Sequence, residues 1–88
     1  MVKLQILESP GCAKCASAKQ SWERIKDDYP QVEAEAIDIT EHPELAVEHG
    51  LMSTPGIVID GELKASGFTN EQRLRELLDE AIQAREPV

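Results

Sequence analysis

The sequence predicts an α/β fold with the element order β-α-β-α-β-β-α, in which helices cover both faces of a four-stranded mixed sheet. Segments with the two-residue alternation of a strand are followed by segments with apolar residues at helical spacings of three and four. All five glycines of the chain fall between these segments, where glycine marks turns. Two strands joined by a helix are expected to be parallel, and two strands joined by a tight turn are antiparallel.

The first strand and the first helix follow each other closely. Residues 2–7 are a predicted strand because Val2, Leu4 and Ile6 alternate with polar residues. After the break at residues 9–11, a helix is predicted over residues 12–28. Its apolar face consists of residues spaced by three and four: Cys15, Ala18, Trp22 and Ile25. Pro30 stops this helix.

A second strand and a short second helix are predicted in the middle of the chain. Residues 32–39 form the strand, and the charges of Glu33 and Glu35 favour a position at the sheet edge. Thr40 and the pair His42-Pro43 indicate a helix start, since proline is tolerated in the first turn. The helix is expected to end at Gly50.

The last three elements are a hairpin and a helix. Residues 57–59 and 62–66 are two predicted strands, and the Asp60-Gly61 pair between them is typical of a hairpin turn. The spacing of Thr69 and Gln72 predicts a capping box at the start of the last helix. Its apolar stripe is formed by Leu74, Leu77, Leu78, Ala81 and Ile82.

Composition limits the class of protein. The 88 residues are expected to form a single domain, 1–88, with a formal charge of −8 and 3% aromatic residues. A negative chain with few aromatic side chains lacks the features of a nucleic-acid partner. The chain has no run of about 20 apolar residues for a membrane span, and its first residues are too polar for a signal peptide. We expect a cytoplasmic monomer with no membrane contact.

The two cysteines of the chain are Cys12 and Cys15, in one C-x-x-C. Cys12 lies where the loop after the first strand meets the first helix. The free N–H groups of a helix start stabilise an anion, so they are expected to lower the pKa of the Cys12 thiol. Lys14 adds a positive charge between the cysteines, whereas Cys15 falls on the apolar face of the helix.

This asymmetry predicts a mechanism of thiol–disulfide exchange. The Cys12 thiolate attacks a substrate disulfide and forms a mixed disulfide, and Cys15 then attacks Cys12 and releases the reduced substrate. An external dithiol donor or reductase must reduce the resulting disulfide. The residues next to the pair, Gly11, Ala13 and Lys14, are expected to modulate its reactivity.

The chain resembles the thioredoxin superfamily, most closely its small thioredoxin-like and glutaredoxin-like members. Three motifs carry the match over nearly the whole chain, in the order of the family: Ser9-Pro10-Gly11-Cys12-Ala13-Lys14-Cys15, Ser53-Thr54-Pro55 and Ile57-Val58-Ile59-Asp60-Gly61. The resemblance implies a thioredoxin-like fold, electron transport by a redox-active disulfide, no cofactor and no bound metal.

The resemblance also implies roles for two residues outside the cysteine motif. Pro55 would be the cis-proline that packs beside the redox pair, although cis bonds are found at only about 5–6% of X-Pro bonds. The backbone of Thr54 would pair with an extended substrate peptide. The acidic group with which glutaredoxins hold glutathione has no clear counterpart after the hairpin, so protein disulfides are the expected substrates.

Two alternatives to a disulfide reductase remain open at this point. A C-x-x-C after a first strand also binds soft ions such as Cu(I) or zinc in metal-binding modules. Those modules have the order β-α-β-β-α-β, and the Thr54-Pro55 pair has no role in them. The other alternative is a thioredoxin-fold adaptor whose cysteines do little, which the reactivity of Cys12 would distinguish.

Overall fold

The computed structural model describes residues 2–67 and 69–85, except for the side chain of residue 85. The limits of the predicted domain, residues 1 and 88, lie outside the described residues. The described elements follow the predicted order: β1 (Val2–Glu8), α1 (Ala13–Ile25), a 3₁₀ turn (Lys26–Asp28), β2 (Val32–Asp38), α2 (Pro43–Glu48), β3 (Gly56–Ile59), β4 (Glu62–Ser66) and α3 (Glu71–Arg85). The predicted fold class is confirmed.

The described strands form a four-stranded mixed sheet in the order β2-β1-β3-β4. β1 pairs in parallel with β2 and antiparallel with β3, and β3 pairs antiparallel with β4. β2 lies at the edge, as the charges of Glu33 and Glu35 indicate, and both side chains are exposed. The central strand β1 therefore ends between β2 and β3, and the loop after it begins at that end of the sheet.

The main core lies between one face of the sheet and the helices α1 and α3. On β1 it contains Val2, Leu4 and Ile6, which are at most 2% exposed. The two helices contribute their predicted apolar faces: Ala18, Trp22 and Ile25 from α1, and Leu74, Leu77 and Leu78 from α3. Because side chains alternate along a strand, every second residue of β1 is available for this core.

On the opposite face of the sheet, the chain directly after α2 packs against β3. Leu7 of β1 and Val58 of β3 lie on this face and are fully buried. Leu51, directly after α2, packs so closely on Gly56 that a Cβ added there would lie 2.7 Å from its Cδ1 atom. Glycine at position 56 therefore lets the chain between α2 and β3 approach the sheet.

The hairpin between β3 and β4 turns at Asp60 and Gly61, as predicted. Both residues have positive φ angles, 51° and 84°, which two-residue hairpins with the twist of the flanking strands require. The turn aligns β4 with β3 over Gly56–Ile59, with one irregularity between Ile57 and Val58.

The predicted capping box of α3 is wrong. The Asn70 side chain accepts a hydrogen bond from the Arg73 backbone N–H at 2.8 Å, and the Asn70 carbonyl accepts from the N–H of Leu74. Asn70 is thus the N-cap, while the Gln72 side chain bonds forward to Glu76. Asparagine is a better N-cap than threonine, which explains why the helix begins one residue later than the Thr69 prediction.

None of the helices among the described residues has the length and apolarity of a membrane-spanning segment.

A buried tyrosine joins the turn after α1 to α3. The Tyr29 hydroxyl donates a hydrogen bond to the Asp79 carboxylate at 2.8 Å, and the Arg75 guanidinium lies 6.0 Å from the centre of the Tyr29 ring. Burial of the phenol raises the pKa of Tyr29 above its ordinary value of 10.0, and the bond to Asp79 raises it further because the neutral phenol is the donor.

The raised pKa of Tyr29 predicts a loss of stability in alkali. Below about pH 10 the phenol is protonated in both states, so its full contribution is present. Above that pH the unfolded chain loses the proton first, and the contribution is lost as the pH rises through the folded pKa. The melting temperature should therefore fall more steeply there than in Tyr29→Phe. The absorbance of tyrosinate measures the pKa of Tyr29, because the chain has one tyrosine. The prediction would be contradicted if the melting temperatures of the wild type and Tyr29→Phe fell equally with pH and the pKa of Tyr29 were ordinary.

Candidate redox site

The two cysteines lie at the junction between β1 and α1. Their sulfur atoms form a disulfide, and their Cα atoms are 5.2 Å apart. Cys12 lies at the predicted junction between the loop and α1, where it is the N-cap of the helix, and Cys15 lies in the first turn. The pair is therefore held between the central strand of the sheet and the start of a helix.

The local backbone aims helix N–H groups at Cys12. Gly11 has a φ of 71°, a left-handed conformation in which a side chain would be strained, and it turns the chain out of β1. The Cys15 N–H then donates a hydrogen bond to Cys12 Sγ at 3.0 Å, and the Ala16 N–H donates to the Cys12 carbonyl at 3.2 Å. The Cys12 sulfur thus occupies the place where a helix start stabilises negative charge.

The two sulfurs differ in their access to solvent. Cys12 is half-buried, whereas Cys15 is 1% exposed and lies on the buried face of α1. Ala13 and Lys14, between them, are both exposed, and so is Gly11 before them. Cys12 is therefore the solvent-facing member of the pair, and Cys15 is the buried member.

Charged groups are few in the first turn of α1. That turn contains no acidic residue, so nothing within it opposes the helix dipole. Behind it, Glu8 at the end of β1 accepts a hydrogen bond from the Lys19 ammonium at 2.8 Å. This pair was not predicted from the sequence, because Glu8 and Lys19 lie in two different elements and no helical spacing relates them.

The segment before β3 lies next to Cys12. The peptide bond between Thr54 and Pro55 is cis, and Pro55 is buried. The Thr54 hydroxyl donates a hydrogen bond to Cys12 Sγ at 3.5 Å. The Pro55 carbonyl accepts a hydrogen bond from the Gly67 N–H at 2.9 Å, which ties this segment to the end of β4. The Thr54 hydroxyl therefore lies beside the Cys12 sulfur, and the buried Pro55 is the next residue along the chain.

Ser9, for which the sequence predicts no role, also belongs to the site. The hydroxyls of Ser9 and Thr54 are 2.9 Å apart. The signal in the sequence was weak, namely a hydroxyl residue immediately before a proline in each of two matching segments, Ser9-Pro10 and Thr54-Pro55. The contact itself depends on the register of the sheet.

Among residues 2–67 and 69–85, no group of three or more His, Cys, Asp or Glu side chains is arranged to hold a metal ion.

Comparison with known sequences agrees with this geometry. Residues 2–79 match the family model of the thioredoxin domain. The thioredoxin of Methanocaldococcus jannaschii is 38% identical over 82 residues, which cover 92% of this chain and 96% of that protein. A probable thioredoxin of Methanothermobacter marburgensis is 30% identical over 84 residues, covering 94% of this chain and 99% of that protein.

Solved structures show the same architecture. The NTD_N/C domain of alkylhydroperoxide reductase AhpF from Enterococcus faecalis superposes with a TM-score of 0.78 at 36% identity. The match covers 88% of this chain but 37% of that one, so this chain spans well under half of its length. Oxidised mitochondrial thioredoxin 3 of Saccharomyces cerevisiae has a TM-score of 0.75 at 21% identity, over 90% of this chain and 77% of that one, which shows the shared fold.

The element order differs from that of the C-x-x-C metal-binding modules, and the family match extends over most of the sequence. With its disulfide-forming C-x-x-C at the start of α1 and with thioredoxins as its relatives, this chain belongs to the thioredoxin domain family and is a thiol–disulfide oxidoreductase.

Proposed function

We propose that the protein reduces disulfide bonds of other proteins, with Cys12 as the attacking nucleophile and Cys15 as the resolving thiol. The observation that carries this proposal is the asymmetry of the pair. Cys12 caps the helix, receives an N–H hydrogen bond and is half-buried, whereas Cys15 is 1% exposed. A thiolate at Cys12 is both stabilised and reachable, which are the two requirements for a nucleophilic cysteine.

The reaction transfers two electrons from the dithiol to the substrate. The Cys12 thiolate attacks one sulfur of the substrate disulfide, so that a Cys12–substrate bond forms and the other substrate sulfur leaves as a thiolate that takes up a proton. Cys15 then loses its proton and attacks Cys12 Sγ. The internal disulfide forms, and the second substrate sulfur leaves and is protonated.

The residues around the pair have distinct parts in this proposal. Thr54 and Pro55 form the substrate-binding side of the site, where the Thr54 backbone pairs with an extended peptide. Gly11, Ala13 and Lys14 form the exposed rim that a substrate meets first. The positive charge of Lys14 favours the Cys12 thiolate. Because the Lys14 side chain is exposed, salt weakens this attraction.

The cycle needs a donor of electrons. An external reductase or dithiol returns two electrons and two protons to the Cys12–Cys15 disulfide, which makes the protein an electron carrier without a cofactor of its own. We propose that residues 1–88 act as one domain and as a monomer. Two cysteines in one redox pair, with none left for a structural framework, favour the reducing cytoplasm.

A redox titration of the purified protein tests this function. The protein is equilibrated in dithiothreitol or glutathione buffers of graded potential, and free thiols are counted at each point. We expect a reversible two-electron transition in which two thiols appear together, because the pair exchanges as a unit. The midpoint then shows whether the protein acts as a reductant or an oxidant.

Two results would contradict the proposal. Absence of an internal disulfide under oxidising buffers, combined with tight Cu(I) or zinc binding by the thiols, would replace disulfide exchange with metal binding. A midpoint well above that of the glutathione pool would make the protein an oxidant of dithiols instead of a reductase.

A further inference from the structure

We propose that the hydroxyls of Ser9 and Thr54 form a hydrogen-bond relay that stabilises the thiolate of Cys12. This inference deepens the proposed function, since it rests on Cys12 being the attacking cysteine. Thr54 contacts the reacting sulfur through its side chain, in addition to the substrate contact proposed for its backbone. Ser9 is a positioning residue that acts through Thr54.

The direction of the relay follows from the Cys12 sulfur, which has no proton to donate as a disulfide or as a thiolate. Thr54 Oγ1 lies 3.5 Å from Cys12 Sγ and 2.9 Å from Ser9 Oγ. A hydroxyl has one proton to donate and two lone pairs that accept. If the Thr54 proton points at the sulfur, the Thr54 oxygen accepts the proton of Ser9. Negative charge on Cys12 favours this arrangement because both hydroxyl dipoles then point toward the sulfur.

The register of the sheet holds the two hydroxyls together. β1 and β3 are antiparallel neighbours, and their last described pair is Leu7 with Gly56. Continuing that register by two residues brings Ser9, after β1, opposite Thr54, before β3. The Gly67 N–H fixes the adjacent Pro55 carbonyl. The donor to Cys12 is therefore in place before reaction, and such preorganised donors require no reorganisation when charge develops.

The relay acts differently on the two redox states. A sulfur in a disulfide is a weak hydrogen-bond acceptor, whereas a thiolate carries a full charge and forms charge-assisted bonds. The relay and the Cys15 N–H therefore stabilise the reduced protein more than the oxidised one. They should lower the pKa of Cys12 and raise the reduction potential of the Cys12–Cys15 pair.

Fixed charges near the pair are separate from the relay. Lys14 lies in the first turn of α1, and Glu8 at the end of β1 is paired with Lys19 of α1. The segment 51–59, which carries Thr54, contains no charged residue. Variants of the two hydroxyls leave all these charges unchanged, so their effect on Cys12 reports the hydrogen bonds.

Thr54→Val removes the hydroxyl and keeps the branched shape of the side chain. The test compares it with Ser9→Ala, with the double variant and with Thr54→Ser, which restores a hydroxyl. The pKa of Cys12 is measured from the pH dependence of alkylation by iodoacetamide, with the modified cysteine identified by mass spectrometry. The equilibrium with glutathione is measured at a pH above that pKa, and the fold of each variant is checked by circular dichroism.

We expect Thr54→Val to raise the pKa of Cys12 and to shift the glutathione equilibrium about tenfold toward the disulfide, which corresponds to about 30 mV for two electrons. Ser9→Ala should have a smaller effect of the same sign, about threefold, because the Thr54 hydroxyl remains. The double variant should match Thr54→Val, since Ser9 acts only through Thr54. Thr54→Ser should restore values near those of the wild type.

The exposed Ser17, on α1, provides the matched control, and Ser17→Ala should change neither quantity. Equilibria of Thr54→Val and Ser9→Ala within twofold of the wild type would refute the relay, while an alkylated Cys12 would leave the proposed function intact. Effects that add in the double variant would also refute it, because they would be independent. Alkylation of Cys15 in place of Cys12 would refute the proposed function and the relay together.

Discussion

Replacement of Cys12 by serine is expected to lower the rate of protein-disulfide reduction by about 10³-fold or more, the scale on which loss of a nucleophile acts. A hydroxyl at this position cannot form the mixed disulfide, and Cys15, at 1% exposure, cannot reach a large substrate. The rate is followed with insulin as the disulfide-bonded test protein and dithiothreitol as the electron donor. Ser17→Ala, on the exposed side of the same helix, should retain the wild-type rate.

The companion variant Cys15→Ser should fail in a different way. Cys12 remains able to attack, but no inner thiol follows, so the mixed disulfide between Cys12 and the substrate accumulates. Non-reducing electrophoresis should show this adduct, and reduction by dithiothreitol should remove it. An adduct formed by Cys12→Ser but not by Cys15→Ser would mean that the roles of the two cysteines are reversed.

Local patterns in the sequence were sufficient to predict the elements of this fold. The alternation of Val2, Leu4 and Ile6 corresponds to a strand with one buried face, and Asp60-Gly61 forms the turn that its residue types favour. The position of Cys12 at the start of α1 also follows from local information, because the break before it and the periodic helix after it are both short-range features.

Contacts between distant segments could not be predicted in this way. Ser9 and Thr54 are 45 residues apart, and they meet because β1 and β3 pair in one particular register. No periodicity specifies that register. At the start of α3, two local signals competed, and the stronger N-cap, Asn70, determined where the helix begins. The site was therefore predictable at its cysteines and less so in the groups that surround them.

Leu4→Ala is expected to lower the free energy of unfolding by a large amount. Leu4 is fully buried on the central strand and packs in the core between the sheet and the helices α1 and α3. Truncating a buried leucine costs about 2–5 kcal/mol, because the apolar contacts are lost and a cavity remains. At about 3 kcal/mol, a domain of this size loses about 12–24 °C in melting temperature.

Guanidinium unfolding of the oxidised proteins measures this cost, with Val47→Ala as the matched control. Val47 is 82% exposed on α2, so its truncation should change the free energy of unfolding by less than about 0.5 kcal/mol. A cost below about 1 kcal/mol for Leu4→Ala would mean that the core on this face is loosely packed. Where Leu4→Ala is still folded, its Cys12–Cys15 potential should equal that of the wild type. The hydrogen bonds to Cys12 come from Thr54 and the Cys15 N–H, and neither involves the Leu4 side chain.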